Sequence, residues 1–201
     1  MSKVQICNRA LSTYLGVGRI NSLTESTAQA QQCDMHFDDT LAGLLETHWW
    51  VFATGRQVLA EVTNDRATEW AYKYAMPADA IDVRWVNEPT TARARMAAFQ
   101  SPDTDREMIE GFIYSDVQSA VCEYTKIVSD TGLFPQYFSD ALSAALAANV
   151  AMALTEDIKR ARNAMEAAAA RLDAAIARDE RQGGPREYGQ IPDWLATRGV
   201  S

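Results

Sequence analysis

Ser26-Thr27-Ala28-Gln29-Ala30-Gln31-Gln32-Cys33-Asp34-Met35-His36-Phe37-Asp38-Asp39-Thr40-Leu41-Ala42-Gly43-Leu44-Leu45-Glu46-Thr47 runs straight into His48-Trp49-Trp50-Val51-Phe52. Ala30, Cys33, Phe37, Leu41, Leu44 and His48 recur at three- and four-residue steps, the period of one face of a helix. The spacing predicts a helix over 26–47. Three large aromatics within four residues follow it, and they bury much area when they point inward.

Outward from this stretch, more helix is expected on both sides. Val4, Cys7, Leu11 and Tyr14 lie on one helical face, and Gly16-Val17-Gly18 ends that segment. Ser22-Leu23-Thr24-Glu25 has the form of a capping box. Beyond the middle of the chain, Phe134-Pro135 opens a helix with Phe138, Leu142, Ala145, Leu146, Asn149 and Met152 as its stripe. A last helix over 155–181 carries Ile158, Ala161, Met165, Ala168, Leu172 and Ile176, close to a heptad. At about 1.5 Å per residue it would reach roughly 40 Å.

The middle reads as extended. Tyr72 to Met76 precede Pro77, and Ile81, Val83 and Trp85 alternate with polar residues. Residues 108–114 and 121–128 are two further strand candidates, and Asp116-Val117-Gln118-Ser119 between them implies a hairpin. Residues 89–106 are polar and read as a loop, or as a short helix followed by a loop. The expected fold is therefore mainly α: a helical bundle from residues 1–70 and 132–182, a small antiparallel β-sheet inserted over 71–131, and an extended C-terminal tail over 183–201.

The 201 residues include 19 Lys and Arg against 27 Asp and Glu, a formal charge of -8. Nucleic-acid binding relies on cations displacing counterions, so a DNA-reading module is disfavoured. The apolar fraction of 47% is that of a globular chain. No signal peptide is expected at the N-terminus, and no apolar run of the roughly 20 residues needed to cross a bilayer is read. Cys7, Cys33 and Cys122 form no C-x-x-C pair and are expected as reduced, packed thiols.

Motifs for chemistry are missing from the sequence. His36 and His48 lie roughly 18 Å apart along a helix, too far to share a metal. Asp34 and Asp38 share a face, an arrangement far commoner on a solvated helix than at a cation. Cys33 and His36 are the best enzymatic pair, yet Cys33 sits on the apolar stripe, where a thiol is inert. No enzymatic activity, cofactor or metal is expected. The candidate partner contacts are a small basic patch, Arg93, Arg95 and Arg106, and the tail residues Tyr188, Ile191, Trp194 and Leu195. The tail is apolar enough to anchor and too short to fold alone.

Several short runs, taken in order, resemble a known family. They are Ile6-Cys7-Asn8-Arg9-Ala10-Leu11, Leu15-Gly16, Ile20-Asn21-Ser22-Leu23, His48-Trp49-Trp50-Val51-Phe52-Ala53, Tyr74-Ala75-Met76-Pro77-Ala78-Asp79 and Ile113-Tyr114-Ser115-Asp116. Tyr124, Phe134 and the alanine-rich 141–154 follow. This order is similar to tail tubular protein A, the head-to-tail adaptor of short-tailed bacteriophages, over about residues 4–180. The resemblance implies a structural virion protein. It would form a ring, likened to the family's dodecamer, between a portal protein and the next tail component. Double-stranded DNA would pass through its lumen without specific binding, and no membrane would be involved. The alternative is a helical cytoplasmic regulatory or interaction protein without a virion role.

Overall fold

The computed structural model describes residues 1–88 and 105–183. It is a mixed α/β protein with two antiparallel sheets of three and four strands. The expectation of a mainly α chain with one small sheet is overturned.

The element order is α1 (Lys3–Arg9), a π-helical segment (Ala10–Leu15), α2 (Ala28–Glu46), β1 (Thr54–Val58), β2 (Ala60–Val62), β3 (Tyr72–Ala75), β4 (Ala80–Asn87), β5 (Arg106–Ile109), β6 (Phe112–Ser115), β7 (Val121–Lys126), a 3-10 turn (Thr131–Leu133), α3 (Gln136–Thr155) and α4 (Ile158–Gly183). The strands pair in the orders β1-β7-β4 and β2-β3-β6-β5.

The chain divides into two compact units. The helical one comprises Met1–Gly55, Asp79–Asp82 and Thr125–Gln182. Its centre is α3, buried on nearly every side through Phe138, Leu142, Leu146, Ala147 and Val150. Alanine and serine on α3 leave room for close helix neighbours. Its length and hydropathy would suffice to cross a membrane. That corrects the expectation of no such run, and burial inside the unit accounts for the composition.

Ser2 caps α1: its Oγ accepts from the Gln5 backbone, and Gln5 returns a bond to the Ser2 backbone N–H. Gly16, at φ 65, closes the π-helical segment in the left-handed region that glycine adopts without penalty. Asn8 then pairs with Ile20 in both directions at 2.8 Å, which ties down the following loop. The cap of α2 is Thr27, five residues beyond Ser22 of the expected capping box, so the helix starts at Ala28, two residues inside the expected 26–47. Trp50 is fully buried and donates Nε1–H to the Leu44 carbonyl at 2.8 Å. It is ringed by His48, Phe52, Tyr137 and Phe138. Trp49 is half-buried and donates to Asp82 at 3.0 Å.

The final helix departs from its expected seam. Glu156, at φ 50, breaks the chain between α3 and α4. In α4 the buried positions are Ala161, Ala164, Ala175 and Asp179. Ile158 and Met165, expected inside, are 70% and 58% exposed.

The second unit comprises Arg56–Ala78 and, of Val83–Tyr124, the described residues. Strands β1 and β2 arise where helix was expected. Between Arg56 and Val62 only Leu59 is buried, so neither period shows in the sequence. The hairpin expected between 114 and 121 is also replaced. Residues 106–115 are themselves a hairpin, β5 to β6, with Met108 opposite Ile113 and Ile109 opposite Phe112. Glu110 and Gly111 both have positive φ, 53 and 80, as a two-residue turn of the hairpin-favouring hand requires. Strand β7 joins the other sheet. Tyr74, Ile113, Val86, Ala120 and Cys122 form this unit's interior.

Candidate functional site

Among the residues singled out by sequence, Arg106 alone of the partner candidates lies within the described residues. Its guanidinium donates to the carbonyls of Val83 and Arg84 at 3.1 and 3.3 Å. That use is internal to the β-rich unit. Arg93, Arg95, Tyr188, Ile191, Trp194 and Leu195 lie outside the described residues.

The Cys33 and His36 pair makes no nucleophile and base. Cys33 is fully buried and faces Cys7, also fully buried, on α1. Their shared hydrogen bond and burial push the Cys7 thiol up, while the same bond holds Cys33 below its ordinary value against the effect of burial. It is complete enclosure that separates the Cys33 sulfur from a reacting partner. Asp34 and Asp38 are exposed, and Asp38 pairs with Lys3 at 3.1 Å. Among the described residues no group of three or more His, Cys, Asp or Glu converges as a metal site.

The most developed polar cluster is one that sequence reasoning missed. Asp179, on the last turns of α4, is fully buried. It accepts from His48 Nε2 at 3.1 Å, from the Tyr137 hydroxyl at 2.7 Å, and from the Val51 backbone N–H at 3.1 Å. Burial acts to push its carboxyl up. The bonds from His48, Tyr137 and Val51 outweigh that and hold it below the usual carboxylate value. Burial, then the Asp179 bond, pushes the Tyr137 hydroxyl up, so it stays a donor. A carboxylate near a helix C-terminus opposes the helix dipole, so these donors are what keep it charged. The cluster is a clamp joining α4, α3 and the turn after α2. The readable signal was an acid placed four residues after Ala175 on the heptad of Ala161 and Ala168.

The β-rich unit holds a second cluster. Lys73 bonds Asp65 at 2.7 Å and lies over the Phe112 ring at 4.2 Å. Tyr114 donates to the same Asp65 oxygen at 3.0 Å. Arg66 lies over Tyr114 and pairs with Glu69 and with Glu107, the latter at 2.8 Å. Asp65 holds the Lys73 ammonium above its ordinary value, and Lys73 holds the Asp65 carboxyl below its own. Each cation here has its anion, so the cluster fastens the 63–70 loop over β3 and β6.

What remains unsatisfied is surface. Met152, Ile158 and Met165 expose large apolar side chains along the end of α3 and the start of α4. On α2, Met35 is 65% exposed among Asp34, Asp38 and Asp39. These faces offer contact area and charge; they hold no reacting groups in register. No protein-family model matches the chain, and no curated protein matches its sequence.

Proposed function

We propose that the chain is a structural subunit, a ring-forming head-to-tail adaptor of a short-tailed phage or prophage. It would join a portal protein to the next tail component and let DNA pass through its lumen. It would be made in the host cytoplasm and end in the virion. The resemblance supports this through the order of its runs from residue 6 to 154.

The observation that carries the reading is the exposed apolar surface of α3 and α4. Met152, Ile158 and Met165 are 48%, 70% and 58% exposed. Ile158 and Met165 stand seven residues apart on one side of α4, and exposed large apolar side chains of this kind offer contact area to a partner subunit. The formal charge of -8 per copy, multiplied round a ring, would repel DNA in the lumen and let it slide.

The test is the native mass of the purified chain, alone and mixed with the portal protein encoded in the same genome. A ring in either sample is the expected result. A monomer in both overturns the adaptor reading and favours the regulatory alternative.

A further inference from the structure

Two exposed helix faces of the helical unit carry charges of opposite sign. The first belongs to α2. Met35, Asp38, Asp39, Ala42 and Glu46 follow one another at helical steps and are all exposed. Asp38 has Lys3, but Asp34, Asp39 and Glu46 have no cationic partner among the described residues. This face is a methionine knob in an acidic rim.

The second belongs to α4. Ala167, Ala170, Arg171 and Ala174 stand at i, i+3, i+4 and i+7, the four positions that outline a hole on a helix surface. Ala170, Arg171 and Ala174 are exposed and Ala167 is half-buried. Arg178 and Arg181 continue the same side at one and two turns further on. The exposed acids of this helix, Glu166, Asp173 and Glu180, line the opposite edge, with Glu166 four residues before Ala170 and Asp173 three after it. The solvent side from Ala167 to Arg181 is thus an alanine strip with arginine along one edge and acid along the other.

We infer that the α4 face of one copy docks on the α2 face of a second copy, with Met35 seated over Ala170 and Ala174 and the arginines against the α2 acids. This rests on the adaptor reading and names its subunit contact. The two faces differ, so each copy gives one and receives one. A head-to-tail contact of that kind closes into a ring when its rotation allows. A symmetric α4 to α4 contact would set arginine against arginine and is disfavoured. The alanines matter because they let the helices approach closely enough for the charges to meet. Complementary charge then fixes partner and register.

The experiment uses two reversed chains, R171E/R181E and D34K/D39K, measured by native mass under the conditions in which the parent chain assembles. Each reversed chain alone sets like charges across the contact. Each is expected to need at least about tenfold more protein to half-assemble, or to stay monomeric. An equimolar mixture of the two is expected to restore assembly, with the two chains alternating, because every contact in it is again complementary. Two misfolded chains do not rescue each other, so the mixture also guards against a folding defect. If R171E/R181E assembles as the parent does, or if the mixture fails to recover, this docking is wrong and the adaptor reading survives. If the parent itself stays monomeric with and without portal protein, the adaptor reading falls and the docking falls with it. If D34K/D39K alone is unaffected, the α4 face meets something other than α2, and the assignment is overturned.

Discussion

Replacing Asp179 by alanine removes the single acceptor shared by three donors. The Val51 N–H then faces the site with no partner, and the Tyr137 hydroxyl keeps only Gln182 Oε1, at 3.3 Å. Each unsatisfied buried group costs about 1–3 kcal/mol. His48 is partly solvated, with 19% of its side chain exposed, and can turn to water. With about 1–3 kcal/mol for the Val51 N–H and about 1 kcal/mol for the bond that Tyr137 loses, the expected loss is about 2–4 kcal/mol for the helical unit. At about 2–4 °C per kcal/mol for a chain of this size, a loss near 3 kcal/mol lowers the melting temperature by roughly 6–12 °C. Urea unfolding followed at 222 nm reads the helical unit, because the α-helices among the described residues lie in it. The pH dependence separates a clamp from a packing defect. The native carboxyl is held below its unfolded value of about 3.9. Its contribution is therefore present above that value and lost as pH falls through the depressed native one. The gap in stability between parent and D179N is expected to be widest near neutral pH and to shrink in acid. A D179A chain within about 0.5 kcal/mol of the parent, or a gap that does not change with pH, would refute the clamp.

Four further outcomes follow from named positions. Glu110→Asn places a residue that tolerates positive φ in the β5–β6 turn and should raise stability by about 0.5–1 kcal/mol, while Gly111→Ala should lower it by a similar amount; a Cβ at Gly111 meets nothing within 4 Å, so conformation alone decides. Glu156→Gly, at the φ 50 break between α3 and α4, should stabilise on the same ground, and a destabilised variant would mean that the break is not as described. Trp50→Ala should cost about 3–5 kcal/mol, read by the same urea titration, because the ring is fully buried. Cys7 and Cys33 should resist iodoacetamide until global unfolding, and a thiol that alkylates readily in the folded chain would revive the enzymatic reading of Cys33.

Legibility in the sequence followed burial. The α2 face was readable because Ala30, Cys33, Phe37, Leu41 and Leu44 are all buried at one period. The β3 and β4 strands were readable from their aromatic and β-branched residues. The β1 and β2 strands were not, because Arg56, Gln57, Val58, Ala60 and Glu61 are exposed and impose no alternation. The 106–115 hairpin was hidden by a Glu-Gly turn, where Asn or Asp before the glycine would have announced it. In α4 the large apolar residues were assigned inward by period alone. The actual interior is alanine and one carboxylate, so the size of a side chain misled where its neighbours decided. The Asp179 clamp joins groups 131 residues apart in sequence, and no local pattern carries it.

The residues that resemble the adaptor family share one property: they build the fold. Asn8 and Ile20 hold the first loop by paired bonds, Trp50 fills the helical core, and the Tyr74 hydroxyl donates to the Val117 carbonyl at 2.6 Å inside the second unit. Each of these side chains is held by partners inside its own unit, so a change at any of them disturbs the fold. A subunit contact is constrained differently. Arg171 and Asp39 have solvent around them in a single copy, so either can change when its counterpart changes sign. If the adaptor proposal holds, a relative with the same role is expected to conserve the complementarity of the α2 and α4 faces rather than the charges themselves. Asn8, Trp50 and Tyr74 would stay fixed in the same sequence. On that proposal, an inverted pair, acidic on α4 and basic on α2, would serve the contact as well as the arrangement in this chain.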